Sequence, residues 1–329
     1  MSRVQFVLDI NDVKGSLKED AMKRIMTLED LDLPTGKKAR LYRLLYKYGP
    51  GNGKLLVLPI DQGLEHGPRD FFVNPESLNP EFQLRLALEG GFSAIAFQVG
   101  LAEKYLRTFA GKVPLILKIN GKTEVPPDDE AFSPCHASVE DAVRLGAEAV
   151  GYTSYIGSPR QDDDFIQFGK VRRDAERFGM PVILWAYPRG KYIEQKGGRD
   201  SFYAVDYAAR IAQELGADVV KLNFPKVDEE KRPLYPKPYN ELKLPGREMV
   251  EKIVASAGRT LVLISGGAKK NDEELFEEVN ICLEAGVTGF IFGRNMWQRR
   301  FGEALEVAAK ITKMMHEIGL PAAEKVTAL

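Results

Sequence analysis

Residues 216–225, "GADVVKLNFP", read as a glycine followed by a short buried strand with a lysine, Lys221, at its centre. Side chains alternate along a strand, so Val220, Leu222 and Phe224 form one apolar face suited to packing against helices. Val219, Lys221 and Asn223 form the other face. A lysine is almost never fully buried unless something pairs with it or uses it. Lys221 is therefore either a satisfied interior charge or a nitrogen that does chemistry.

Outward from this stretch, a rhythm of short β-branched run, turn and amphipathic helix begins near residue 54. The strand-like runs are "KLLVLPID", "SAIAFQVG", "PLILKIN", "AVGYTSYI", "PVILWAYP", "DVVKLNF", "TLVLISGG" and "GFIFGRN". Helical patterns such as "PEFQLRLALEGG" and "SFYAVDYAARIAQELGA" lie between them, several ending at glycine, the usual C-terminal stop. Strands alternating with helices predict a parallel sheet. Eight such units predict an α/β fold, a (β/α)8 TIM barrel; an open doubly wound sheet with one misread strand is the competing arrangement. Residues 1–50, with "EDAMKRIMTLEDL" and "GKKARLYRLLYKYG", predict an N-terminal helical extension, and 51–329 the barrel domain. Residues 225–246 are rich in proline and charge and read as a long loop after the Lys221 strand.

Composition narrows the function classes. Of 329 residues, 46 are Lys or Arg and 47 Asp or Glu, so no net field favours nucleic acid or an acidic membrane. Two scattered cysteines make neither a disulfide framework nor a zinc knuckle. The first residues lack the apolar core of a signal peptide, and no run has the length of a membrane span. A cytoplasmic protein with no nucleic-acid or membrane partner is expected, and a homo-oligomer through such an extension.

Polar residues collect where strands end, the face that carries the active site in such barrels. Ile183, Trp185 and Tyr187 point inward on the strand next to that of Lys221, placing Tyr187 within reach of the amine. Asp61 ends the first strand on the side of Leu55 and Val57, and Lys118 and Asn120 end the third. Ser265-Gly266-Gly267 follows the seventh strand and Gly293-Arg294 the eighth, where barrels often bind phosphate: glycines let N–H groups approach an anion, and arginine offers a charged fork. A phosphorylated substrate is the leading reading. Against these stand plainer roles: a paired interior ion for Lys221, barrel filling for Trp185 and Tyr187, a turn cap for Asp61, a simple turn for Ser-Gly-Gly. Position alone does not separate Lys221 from Lys118 as nucleophile. With three histidines, none close together, the nearest approach to a metal set is Asp61 and His66 with Glu65; metal-free chemistry without a cofactor is expected.

"LPIDQGLEHGP", "LKINGKT", "WAYPRG", "ADVVKLNFP", "LISGGAKK" and "GFIFGRNMWQR" occur in the order found in archaeal-type class I fructose-1,6-bisphosphate aldolases, which the chain resembles over roughly residues 54–315. The resemblance implies a (β/α)8 barrel and reversible cleavage of fructose 1,6-bisphosphate to dihydroxyacetone phosphate and glyceraldehyde 3-phosphate in glycolysis and gluconeogenesis. It implies that Lys221, rather than Lys118, forms a Schiff base with the substrate. It matches Trp185 and Tyr187 to the family's Trp-x-Tyr motif, the tyrosine moving protons, and Asp61 to its acidic residue. Ser265, Gly266, Gly267, Gly293 and Arg294 match its phosphate ligands, leaving the second phosphate to Arg189 or Lys118. Asp61-Gln62-Gly63 departs from the Asp-His-Gly of many relatives. Other enzymes on this scaffold act on different ketose phosphates or transfer an acyl group, and a non-catalytic sugar-phosphate binder is the alternative of another class.

Overall fold

The computed structural model describes residues 26–318, so most of "EDAMKRIMTLEDL" lies outside the described residues. Eight strands form one closed parallel barrel in sequence order. They are β1 (Leu55–Ile60), β2 (Ala94–Gln98), β3 (Leu115–Lys118) and β4 (Ala149–Ile156), then β5 (Val182–Pro188), β6 (Val219–Asn223), β7 (Leu261–Ser265) and β8 (Gly289–Ile291). Leu55, Leu56 and Val57 of β1 pair with Gly289, Phe290 and Ile291 of β8, which closes the ring and removes the open-sheet alternative. Closure needs glycine at 289, because a Cβ there would lie 1.9 Å from the Leu55 carbonyl oxygen.

Helices occupy the intervals, including Pro80–Glu89, Gln161–Arg177, Phe202–Glu214 and Asp272–Glu284. Their starts are chemically marked: Asn79, Ser201 and Asn271 accept backbone N–H groups of the first turn, and Ser138 forms a capping box with Asp141 ahead of Val139–Arg144. A further helix at Gly246–Ala257 ends the proline-rich segment, within which Tyr235 is buried and the Tyr239 hydroxyl donates to Asp206 at 2.7 Å.

Strand alternation sorts the core into two shells. Leu56, Leu58, Leu184, Val220 and Leu222 pack outward under the helices. Val57, Ile116, Ile183, Trp185, Val219 and Leu263 fill the interior. Leu28, Leu41, Leu44 and Leu45, around the helix Thr35–Tyr42, join this inner shell and cover the end of the barrel where strands begin. Lys37 ties that helix to Asp218 at 3.0 Å, a buried pair in which Asp218 also accepts the Val182 N–H. The interior is thus plugged at one end and polar at the other. Among the described residues, no helix is long and apolar enough to cross a membrane.

Candidate active site

Trp185 and Lys221 are register partners on β5 and β6, so the lysine emerges beside the indole. The Lys221 Nζ lies 5.1 Å from the ring centroids of both Trp185 and Tyr187. Among the described residues it has no hydrogen-bond or ion-pair partner, although the residue is only 3% exposed. Burial lowers its affinity for a proton, opposed by the carboxylates of Asp61 and Glu65 and reinforced by Arg294 and Arg189. The two ring contacts favour the charged amine by only about 0.5–2 kcal/mol each. Stripping water from an ammonium costs on the order of several kcal/mol, so desolvation outweighs the ring contacts and shifts the amine toward its neutral form.

Lys118 is also buried, and its pKa is likewise lowered, chiefly by burial. Its partners differ: Nζ donates to Thr153 Oγ1 at 2.6 Å and to the Asn120 carbonyl at 3.1 Å. Asn120 is held in turn, donating to the carbonyls of Ser133 and Thr153 and accepting the Thr153 N–H. The indole fits between the lysines because residue 151 on β4 is glycine; a Cβ there would lie 2.7 Å from Trp185 and 3.0 Å from Lys118.

Asp61 is 1% exposed, makes no side-chain capping bond, and keeps Oδ2 buried without a protein partner. Buried Glu65 Oε1 and the Trp185 indole nitrogen are orphaned in the same way. Native interiors satisfy nearly all such groups, so their concentration around Lys221 marks a place built for a polar ligand. Burial, then Glu65 and Asp61, raise the Tyr187 hydroxyl well above the usual phenol range, against Arg189 and Arg294, which lower it. Arg189 stacks over the Tyr187 ring at 5.1 Å, with Nε 3.5 Å from Asp128 Oδ2.

Ser265 ends β7, Gly266 and Gly267 open the loop after it, and Gly293 and Arg294 follow β8. Asn295, the residue after Arg294 and one to which the sequence alone assigned no role, fastens the two: Nδ2 donates to the Gly266 and Ala268 carbonyls at 3.2 Å, and Oδ1 accepts the Lys270 N–H at 2.8 Å. A Cβ on Gly266 would fall 2.4 Å from that Nδ2. Ser265 Oγ donates to Asn223, which donates to Asp200, both at 2.7 Å. Arg294 keeps Nε buried and unpartnered, with Nη1 3.8 Å from Asp70, itself 2.7 Å from His66 Nδ1. Among the described residues no group of three or more His, Cys, Asp or Glu is arranged to hold a metal ion.

The barrel thus gathers Lys221, Trp185, Tyr187, Asp61 and Lys118 at its open end, with the glycine and arginine loops on the β7–β8 side and Arg189 after β5. Glu65, considered from sequence only as a metal ligand, belongs to this group by its electrostatic coupling to Lys118 and Lys221. Such a site can hold an anion at one end and offer an uncharged amine to a carbonyl carbon.

The family model for DeoC/LacD aldolases matches residues 55–299. A class 1 fructose-bisphosphate aldolase of Thermoproteus tenax is 42% identical over 265 residues, 80% of this chain and 90% of that protein. The fructose-bisphosphate aldolase/6-deoxy-5-ketofructose 1-phosphate synthase of Methanocaldococcus jannaschii is 30% identical over 294 residues, 85% of this chain and 87% of that one. A solved archaeal fructose-1,6-bisphosphate aldolase, with its catalytic lysine bound covalently to the carbinolamine of its substrate, aligns with TM-score 0.70. It is 40% identical and is matched over 84% of this chain and 99% of its own.

Proposed function

This chain belongs to the DeoC/LacD family of aldolases, and from that premise we propose that it is a Schiff-base, metal-independent fructose-1,6-bisphosphate aldolase. It cleaves fructose 1,6-bisphosphate reversibly to dihydroxyacetone phosphate and glyceraldehyde 3-phosphate. The observation that carries the reading is the Lys221 amine, buried between Trp185 and Tyr187 and engaged by no other side chain among the described residues.

Cleaving the C3–C4 bond leaves an electron pair on C3 that needs a sink. The neutral Lys221 nitrogen attacks C2, and loss of water gives a protonated imine that accepts the pair far better than the ketone does. Tyr187 moves protons during imine formation and at the C4 hydroxyl or the C3 carbon, and Asp61 hydrogen-bonds substrate hydroxyls or assists proton transfer. Ser265, Gly266, Gly267, Gly293 and Arg294 hold one phosphate, and Arg189 or Lys118 serves the other. Fixing both ends sets the scissile bond beside the sink. The reading includes a catalytic barrel of residues 51–329 with an extension of residues 1–50, a cytoplasmic homo-oligomer, and a place in glycolysis and gluconeogenesis.

Borohydride reduction in the presence of dihydroxyacetone phosphate, followed by peptide mass mapping, tests it: a stable adduct on Lys221 is expected. Label on Lys118, or on no lysine, overturns the assignment. The double name of the Methanocaldococcus relative favours a second assay with other ketose phosphates, in which fructose 1,6-bisphosphate is expected to give the highest kcat/KM.

A further inference from the structure

Resting on the reading of Arg294 as a phosphate ligand, we propose that Asp70 is a positioning residue for substrate, holding the Arg294 guanidinium with one edge turned to the phosphate. Asp70 lies in the 3-10 helix Pro68–Phe71 on the loop after β1, and Arg294 opens the short helix Arg294–Trp297 after β8. β1 pairs with β8, so the two loops leave the barrel side by side. They are fastened to each other. Gln298 Nε2 donates to the Asp70 carbonyl at 2.7 Å, and Asn74 Nδ2 donates to the carbonyls of Trp297 and Arg299 at 3.0 and 2.6 Å. The Phe71 and Trp297 rings pack with centroids 4.9 Å apart.

On this frame the Asp70 carboxylate faces two partners. Oδ2 lies 2.7 Å from His66 Nδ1 and 3.8 Å from Arg294 Nη1. A carboxylate only accepts, so Nδ1 carries the hydrogen and the imidazole braces the acid. At 3.8 Å the pull on Arg294 is Coulombic rather than a hydrogen bond. Both side chains are mostly buried, so water and salt screen that pull less than they would at the surface. Among the described residues Asp70 is the acid with which Arg294 pairs.

The atom that Asp70 faces decides what remains for a ligand. A guanidinium presents its N–H groups in pairs along its edges, and Nε shares an edge with Nη2. Asp70 sits off Nη1 and leaves that edge open, and Nε is buried without a protein partner. Buried donors are nearly always satisfied, so this one marks the edge that takes the oxygens of a phosphate. An arginine free of Asp70 would spread over several rotamers, and binding would bear the cost of ordering it. Asp70 thus acts on substrate binding and not on the bonds that break.

A double-mutant cycle on the KM for fructose 1,6-bisphosphate tests this, because a residue acting through Arg294 has nothing to act on once the guanidinium is gone. Asp70→Ala is expected to raise KM about 10-fold in the wild-type background, with kcat little changed, and not to raise it further beside Arg294→Ala. A rise of the same size in both backgrounds, or none in wild type, overturns the proposal. Arg294→Ala with an unchanged KM removes the phosphate reading itself, and the role of Asp70 with it. The same cycle read on the dissociation constant of inorganic phosphate needs no turnover, so it judges Asp70 even if the bisphosphate is not cleaved. Should Asp70→Ala not fold, Asp70→Asn, which keeps the shape without the charge, takes its place: a KM rise confined to the background that keeps Arg294 supports the role, and an equal rise in both, or none, overturns it.

Discussion

Lys118 and Lys221 approach the same indole, their Nζ atoms 5.3 and 5.1 Å from the Trp185 centroid, yet they are not equivalent. Lys118 spends its hydrogens on Thr153 and Asn120, whereas Lys221 has no such partner among the described residues. A nucleophile needs a free lone pair, and a lysine donating to two acceptors is held as an electrostatic and structural group. The charge of Lys221 is one of the smaller influences that lower the Lys118 pKa, whereas the cations that act on Lys221 are Arg294 and Arg189.

Replacing each lysine by methionine separates these roles. Lys221→Met is expected to lose the borohydride adduct and about 10⁴-fold or more in kcat, the order for deleting a covalent nucleophile. Lys118→Met is expected to keep the adduct on Lys221, with kcat/KM reduced about 10²-fold. It should also lose about 1–3 kcal/mol of stability, because Thr153 and the Asn120 carbonyl lose their donor. The opposite pattern of adducts would reassign the nucleophile.

Tyr187→Phe removes a hydroxyl that makes no protein hydrogen bond among the described residues and keeps the ring that flanks Lys221. Turnover should fall about 10²–10⁴-fold, the range for a proton-transfer group, with Tm nearly unchanged. Steady-state kinetics beside a thermal melt checks both halves; undiminished turnover would exclude the role.

Asn295→Ala unfastens the Gly266–Ala268 loop from the turn after β8. Three hydrogen bonds, one buried and two part-buried, are lost, which should cost about 2–4 kcal/mol. The KM for fructose 1,6-bisphosphate is expected to rise more than kcat falls, because the backbone N–H groups proposed to hold a phosphate lose their placement. A change confined to kcat would show that the loop does not bind the phosphate.

Gly151→Ala tests why the indole can lie between two lysines. The new Cβ would sit 2.7 Å from the Trp185 ring, forcing it or Lys118 to move, at about 1–3 kcal/mol. Slower trapping at Lys221 is expected alongside the lowered Tm. Normal stability and trapping would mean that the barrel interior yields more easily than its packing implies.

Lys54, 1% exposed and donating to the Val287 carbonyl at 2.7 Å, supplies a pH signature of stability away from the site. Burial lowers its pKa from 10.5 to about 8. Between those values the unfolded chain holds a proton that the folded chain has released, so this group makes unfolding harder as pH rises. The slope approaches about 1.4 kcal/mol per pH unit within the window, and below about pH 8 the cost of the buried charge is present in full. Urea unfolding of wild type and Lys54→Met across this range should give diverging curves; parallel ones would place the titration elsewhere.

Much of the fold was legible from the chain because its determinants are local. Period-two alternation put Lys221, Trp185 and Asp61 on the inner face, helix caps marked the intervals, and Ser265-Gly266-Gly267 and Gly293-Arg294 stood at strand ends. Glycine supplied a further signal that could have been read: Gly151 interrupts an otherwise bulky β4, the mark of a close approach. Asn295 and Glu65 gave less warning, since an amide or carboxyl one turn past a strand looks like any loop residue.

By itself the sequence determined the alternation of strands and helices and the polar inventory of the barrel mouth, since both follow from each residue's place within its own element, whereas closure of the ring rested on the pairing of β1 with β8. Which lysine stays unbound, which carboxyl is sealed from water and which amide joins the β7 and β8 loops were decided only by tertiary structure. Lys118 meets Thr153 across 35 residues and Asn295 meets Gly266 across 29. The free energy of a charge or a polar group is set by the neighbours that folding brings to it, and those neighbours are remote in the chain.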